Sequence, residues 1–117
     1  MAISKYSVVE AGNLGLGQAG SIFTDVSGAI KPPTGTVFVA ITFLDDTTFD
    51  TSGGLVAEDS ALYANTEAAA HSSTQSTISG TGGDQIDASN AFPAGVTIFG
   101  RWTEIDLDAG MIIAYIG

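Results

Sequence analysis

The sequence contains no cysteine among its 117 residues. Disulfide bonds, thiolate catalysis and cysteine-based zinc sites are therefore excluded. Positive charge is also scarce, because thirteen acidic residues are balanced only by Lys5, Lys31 and Arg101, which leaves a formal net charge of −10. Nucleic-acid binding takes most of its affinity from Lys and Arg that neutralise phosphates, so we expect no direct binding of DNA or RNA. The same charge argues against binding to an anionic membrane.

Long apolar runs are missing as well. No stretch approaches the roughly 20 apolar residues of a membrane-spanning helix, and the first residues lack an apolar run of signal-peptide length. A chain of this length is expected to form one domain with its own core. We therefore predict a single domain over residues 1–117, in which residues 1–36 form either a glycine-rich arm or an extended N-terminal segment.

The residues that are present favour β-structure. The chain has fifteen glycines, and its apolar runs are short and rich in β-branched and aromatic residues. We predict an all-β fold, an antiparallel β-sandwich or barrel, with at most one short helix in residues 55–70. Residues 70–90 are polar and predict an exposed loop or an edge hairpin. The predicted strands lie in Ser7–Val9, Ile22–Phe23, Val37–Leu44, Val96–Phe99 and Met111–Ile116.

Two of these runs carry more detailed predictions. Val37–Leu44 is apolar on both faces, which is typical of a central strand. Near the C-terminus, Ile98 and Ile105 would lie on opposite faces of an unbroken strand, and a β-bulge at Gly100 would restore the register. Asp108–Gly110 then predicts a short loop, with Met111–Ile116 returning as the second strand of a C-terminal β-hairpin.

One short motif suggests a nucleotide. Residues 15–20, GLGQAG, match the dinucleotide-binding pattern G-x-G-x-x-G. That pattern works only where a buried strand precedes it and a helix follows, because the helix N-terminus holds the pyrophosphate. Residues 10–13 instead read as a turn, and residues 21–28 are β-like. We therefore interpret GLGQAG as a glycine-rich loop between β segments.

The acidic and histidine residues give no clear catalytic or metal site. Neither acidic cluster has the spacing of an EF-hand loop, and His71, the only histidine, cannot build a zinc site alone. No G-x-S-x-G motif is present, and no pair of carboxylates stands out as acid and base. We expect no enzyme activity, no cofactor and no bound metal. The two clusters are Asp45, Asp46 and Asp50, and Asp106 and Asp108.

Aromatic residues near the C-terminus give a different signal. Phe99, Trp102 and Tyr115 accompany Arg101, the only arginine of the chain. Tyr, Trp and Arg dominate protein interfaces when they are exposed at the centre of a patch. We predict that these four residues form an interface with another protein subunit, with core packing as the alternative for each of them.

Two stretches resemble small virion proteins of tailed bacteriophages. They are residues 92–103, with Ile105, Leu107 and the ending Ile113-Ala114-Tyr115, and residues 40–49. The resemblance covers about a third of the chain and implies a structural role, on a capsid or in a tail. Trimers are common among such proteins.

From this resemblance we expect a capsid decoration (cement) protein that binds the outer surface of the shell through the major capsid protein. It would be a homo-oligomer, most simply a trimer, on the capsid exterior of the virion, and in the host cytoplasm during assembly. One alternative is a tail-associated, spike or fibre protein. Another is a carbohydrate-binding β domain, in which Trp102 or Tyr63 stacks on a sugar and Asp45, Asp46 or Asp50 holds a calcium ion.

Overall fold

The computed structural model describes residues 6, 7, 9, 17–67 and 82–117. No helix occurs in 17–67 or 82–117, and all seven strands are antiparallel to their partners, so the all-β prediction is confirmed. The described residues contain no helix long and apolar enough to span a bilayer. The strands are β1 (Ser21–Thr24), β2 (Ala29–Ile30), β3 (Phe38–Phe43), β4 (Thr48–Phe49), β5 (Leu55–Ala57), β6 (Thr97–Ala109) and β7 (Ile112–Ile116).

Several smaller predictions can be compared with these bounds. The short helix predicted in residues 55–70 is absent from its described part, where β5 is followed by turns; residues 68–70 lie outside the described residues. Most of the predicted polar loop, including His71, also lies outside them. Ser7 and Val9 are not in a strand. Within residues 1–36, strands β1 and β2 belong to the sheet, and residues 1–5, 8 and 10–16 lie outside the described residues.

The strands form one strongly curled sheet, a half-barrel, in the order β1-β7-β3-β6-β2, with β4 and β5 also paired to β6. The prediction of a central strand is confirmed, because β3 lies between β6 and β7. The turn before it also forms as the two prolines indicate, with the Thr36 amide donating to the Pro33 carbonyl at 3.0 Å.

The long strand β6 departs twice from regular pairing. In the pairing with β3, Phe99 lies opposite Ala40 and Trp102 lies opposite Phe38, so a separation of three residues on β6 corresponds to two residues on β3. This first irregularity spans Gly100, where the bulge is predicted. Against β5, a second register shift occurs just after Trp102. Before this second shift the residues of β6 that face the core are at even-numbered positions, as Ile98 and Trp102 are, and after it they are at odd-numbered positions, as Ile105 is. The side of β6 that faces the core therefore changes at the second shift. The predicted location is therefore only partly right.

The predicted C-terminal hairpin is wrong, although both of its strands exist. β3 lies between β6 and β7, so these consecutive strands do not pair with each other. The reason is the curl of β6, whose second half leaves β3 and pairs with β2, β4 and β5. After β6 the chain passes the end of β3, where the Leu44 amide donates to the Met111 carbonyl at 2.8 Å. Strand β7 then begins on the other side of β3.

The hydrophobic core fills the inside of the curl. Trp102 is its largest member, only 1% exposed, and its indole N–H donates to the Ala64 carbonyl at 2.8 Å. Gly100 makes room for this ring, because a Cβ there would lie 2.7 Å from Trp102 Cζ2. The other buried members are Phe38, Ile41, Phe43, Phe49, Leu55, Ala57, Ile105, Leu107, Ile112 and Ala114.

Candidate docking face

Four adjacent strands, β1, β7, β3 and β6, carry two rows of side chains that point away from the core. Directly opposed residues on neighbouring antiparallel strands project from the same face of a sheet. We call the eight residues of these rows the outer face. One row is Phe23, Ile113, Thr42 and Thr97, and the other is Ser21, Tyr115, Ala40 and Phe99.

The row between them points the other way. It consists of Ile22, Ala114, Ile41 and Ile98, and its members are buried in the core or packed against it. Strands that are apolar on both sides are normally covered on both sides. Here the inner side is covered by the rest of the fold, whereas the outer face, apart from the buried Ala40, is exposed or partly exposed in the described part of the chain.

The outer face combines large exposed apolar groups with a complete lack of charge. Phe99 is 77% exposed and Phe23 is 53% exposed, while Ile113 and Tyr115 are half-buried. Leu44, 42% exposed, follows directly at the end of β3. None of the eight residues is Asp, Glu, Lys, Arg or His. Exposed aromatic groups in a contiguous uncharged patch are characteristic of a docking surface.

Two hydroxyl groups at the middle of this face pair with each other. The hydroxyls of Thr42 and Thr97, opposite each other on β3 and β6, are 2.8 Å apart and form a hydrogen bond. A partner could therefore cover this pair with little cost for unpaired polar groups.

The structure separates the four predicted interface residues. Phe99 and Tyr115 lie in one row of the outer face, on either side of Ala40. Trp102 instead lies in the core, which is the alternative considered for it, and offers no surface to a partner or to a sugar ring. Phe23 and Ile113 are further large apolar residues of the face, and the sequence analysis does not predict them as interface residues. The signal for them was the apolar character of both sides of residues 22–23 and 111–116.

Arg101 is held by contacts within the chain. Its Nε and Nη2 donate to the two carboxylate oxygens of Glu58, each at 2.9 Å, in a bidentate pair. Its Nη1 donates to the Tyr6 hydroxyl, and the guanidinium lies 5.4 Å from the centre of the Tyr6 ring. The hydrogen bonds that Arg101 donates to Glu58 raise the pKa of Arg101 above its ordinary value. Arg101 therefore fastens Tyr6 and Glu58 to β6.

The carboxylates of the acidic clusters stabilise loops. Asp46 Oδ1 accepts from the Ala94 amide at 3.2 Å, and Asp50 Oδ1 from the Ser52 amide at 2.9 Å. Asp106 Oδ1 accepts from the Gly28 amide at 3.0 Å. Among the residues that the structure describes, no three His, Cys, Asp or Glu side chains group as a metal site would require. These contacts are those of acidic turn residues.

The described part of the GLGQAG motif also has a structural role. Residues 17–19 form a turn, and strand β1 follows in place of the helix that dinucleotide binding needs. Gly17 has a φ of 73°, and a Cβ there would lie 3.3 Å from the Tyr115 ring. The turn therefore packs beside the outer face.

Comparisons with protein families, with curated proteins and with solved structures find no match to this chain.

Proposed function

We propose that this chain is a structural binding protein of a bacteriophage particle, a capsid decoration protein that attaches to the outer surface of the shell. The observation that carries the proposal is the outer face, where two phenylalanines are exposed in a contiguous patch of eight uncharged residues. A surface of this kind binds another protein by area and shape and needs no reactive group.

The remaining surface supports the same role. Both described cations are engaged, Arg101 with Glu58 and Lys31 Nζ with Glu104 Oε1 at 3.3 Å. The acidic groups therefore dominate the surface, and their repulsion would keep decorated particles apart and soluble.

The mechanism is multivalent attachment to the major capsid protein. A shell offers many copies of the same site, so a decoration protein that contacts several coat subunits binds more tightly than one contact allows. Each contact raises the effective concentration of the others, and the attached protein braces neighbouring coat subunits. No chemical step is required.

The test is binding of the purified protein to emptied capsids. We expect the protein to sediment with capsids and to saturate at a fixed number of copies per shell. Isolated tails and a glycan array are measured in parallel. Failure to bind capsids overturns the proposal; binding to tails would then support the tail-associated alternative, and binding to glycans the carbohydrate-binding one.

A further inference from the structure

We infer that the outer face is the contact between copies of this chain, so that the protein is an oligomer before it meets any shell. The inference rests on the proposed function in one respect, that the outer face is a protein-docking surface, and it assigns attachment to a shell to the remaining surface of the oligomer. It adds the occupant of that surface, a second copy of the same chain.

Charge is the first argument. Two copies with a net charge of −10 repel each other. Both cations that the structure describes are already paired within the chain, so neither is free to attract the acidic groups of another copy. The outer face is a place where two copies can meet without bringing like charges together, because none of its eight residues carries a charge. A basic partner would instead be expected to use the acidic surface.

Size is the second argument. Four strands spaced about 4.8 Å apart place the two outermost strands of the face roughly 14 Å from each other. Its phenylalanines Phe23 and Phe99 lie on the outermost strands, β1 and β6, so the apolar surface spans the full width. A standard interface covers about 800 Å² of each partner, with an apolar centre and a polar rim. The outer face provides such a centre, and the surrounding loops can provide the rim.

Exposure is the third argument. Phe23 and Phe99 are each more than half exposed in a single copy, and neighbouring exposed apolar groups of this kind mark interaction sites. A protein that uses this face only on a shell would carry it uncovered through expression and assembly. Contact between copies covers it from the start, and a closed symmetric oligomer would leave no further patch available for aggregation.

The experiment is sedimentation velocity of the full chain across a wide concentration range, without capsids. The test variant carries Phe23→Ser together with Phe99→Ser. The matched control is Val26→Ser, since Val26 is 65% exposed but lies in the turn after β1, outside the face. Fluorescence of the buried Trp102 reports whether each variant is folded. A single Phe99→Ser variant serves if the double variant fails to fold.

We expect the wild type and the Val26→Ser control to sediment as oligomers, and the outer-face variant to dissociate at least tenfold more readily. The mass of the oligomer also tests the predicted trimer. Added salt should strengthen the wild-type oligomer, because it screens the repulsion between acidic surfaces. A monomeric wild type would overturn the inference, as would a folded outer-face variant that stays as oligomeric as the wild type.

Capsid binding of the same samples separates the two proposals. Oligomers that do not bind capsids support the inference and overturn the decoration role. A monomeric wild type whose capsid binding is lost only in the outer-face variant overturns the inference, because the face then belongs to the shell.

Discussion

The two sides of strands β1, β7, β3 and β6 are built from similar residues but have different surroundings. The inner row between the two outer rows, formed by Ile22, Ala114, Ile41 and Ile98, is buried in the core or packed against it. The outer rows, which include Phe23 and Phe99, are exposed or partly exposed except at Ala40. Hydrophobicity alone does not distinguish the sides; the difference lies in which side the rest of the chain folds over.

This comparison separates stability from binding. Residues of the inner side should determine the free energy of unfolding, since their burial is complete in a single copy. Residues of the outer face should determine association with a partner, since only a partner can bury them. The following substitutions test that division, from the largest expected effect on stability to the smallest.

Phe43→Ala and Phe99→Ala are the most direct pair. Phe43 is fully buried, with ring centroids 5.9 Å from Phe49 and 5.0 Å from Phe92, whereas Phe99 is mostly exposed. We expect Phe43→Ala to lower the free energy of unfolding by about 3–5 kcal/mol, through lost burial and a cavity. Phe99→Ala should change it by no more than about 0.5 kcal/mol. Urea unfolding at a dilution that favours monomers measures both, and equal losses would show that the division is wrong.

Gly100→Ala disturbs the inner side from within β6. The new methyl group would lie 2.7 Å from the indole of Trp102, so the ring must shift inside a filled core. We expect a loss of about 1–3 kcal/mol in the free energy of unfolding, with a change in Trp102 fluorescence. Gly83→Ala is the control, because a Cβ there meets nothing within 4 Å. Equal behaviour of the two variants would argue against close packing at Gly100.

Arg101 tests an ion pair near the surface. Replacing Arg101 by Gln removes the bidentate contact with Glu58, whose side chain is 36% exposed. Solvent screening limits the loss to roughly 0.5–1 kcal/mol. A double-mutant cycle with Glu58→Gln isolates the coupling between the two side chains. A coupling of zero would mean that Arg101 contributes only through Tyr6 or through packing.

Thr42→Val is expected to have the smallest effect on stability. The change removes the hydroxyl contact with Thr97 on the outer face but keeps the shape and the β propensity of the side chain. The free energy of unfolding should stay within about 0.5 kcal/mol of the wild type, and Thr97→Val should behave alike. Both variants make the outer face more apolar, so association should be unchanged or stronger. Dissociation of the oligomer in either variant would show that the hydroxyls take part in the contact.

Local patterns predict much of this fold. The two-sided apolar run around β3 indicates a central strand, the prolines before it indicate a turn, and the phase difference along β6 indicates a bulge. Each depends on neighbouring residues and on backbone geometry, which the sequence shows directly. The C-terminal hairpin fails for the opposite reason. Whether β6 pairs with β7 depends on the curl of β6 and on the insertion of β3, both of which involve residues far apart in the chain.

The candidate site, like the fold, is predicted only in part by the sequence. Aromatic composition indicates an interface near the C-terminus, yet the structure places Trp102 in the core and holds Arg101 against Glu58. Phe23 joins Phe99 on one face only because β7 and β3 lie between their strands.

By itself, the sequence determined that this is a cysteine-free, acidic β protein, because composition and short-range alternation set charge and strand preference. Only the tertiary structure decided which apolar side is buried and which remains open as the outer face. Burial depends on contacts between strands distant in the sequence, and an alternating pattern is the same whichever side the rest of the chain covers.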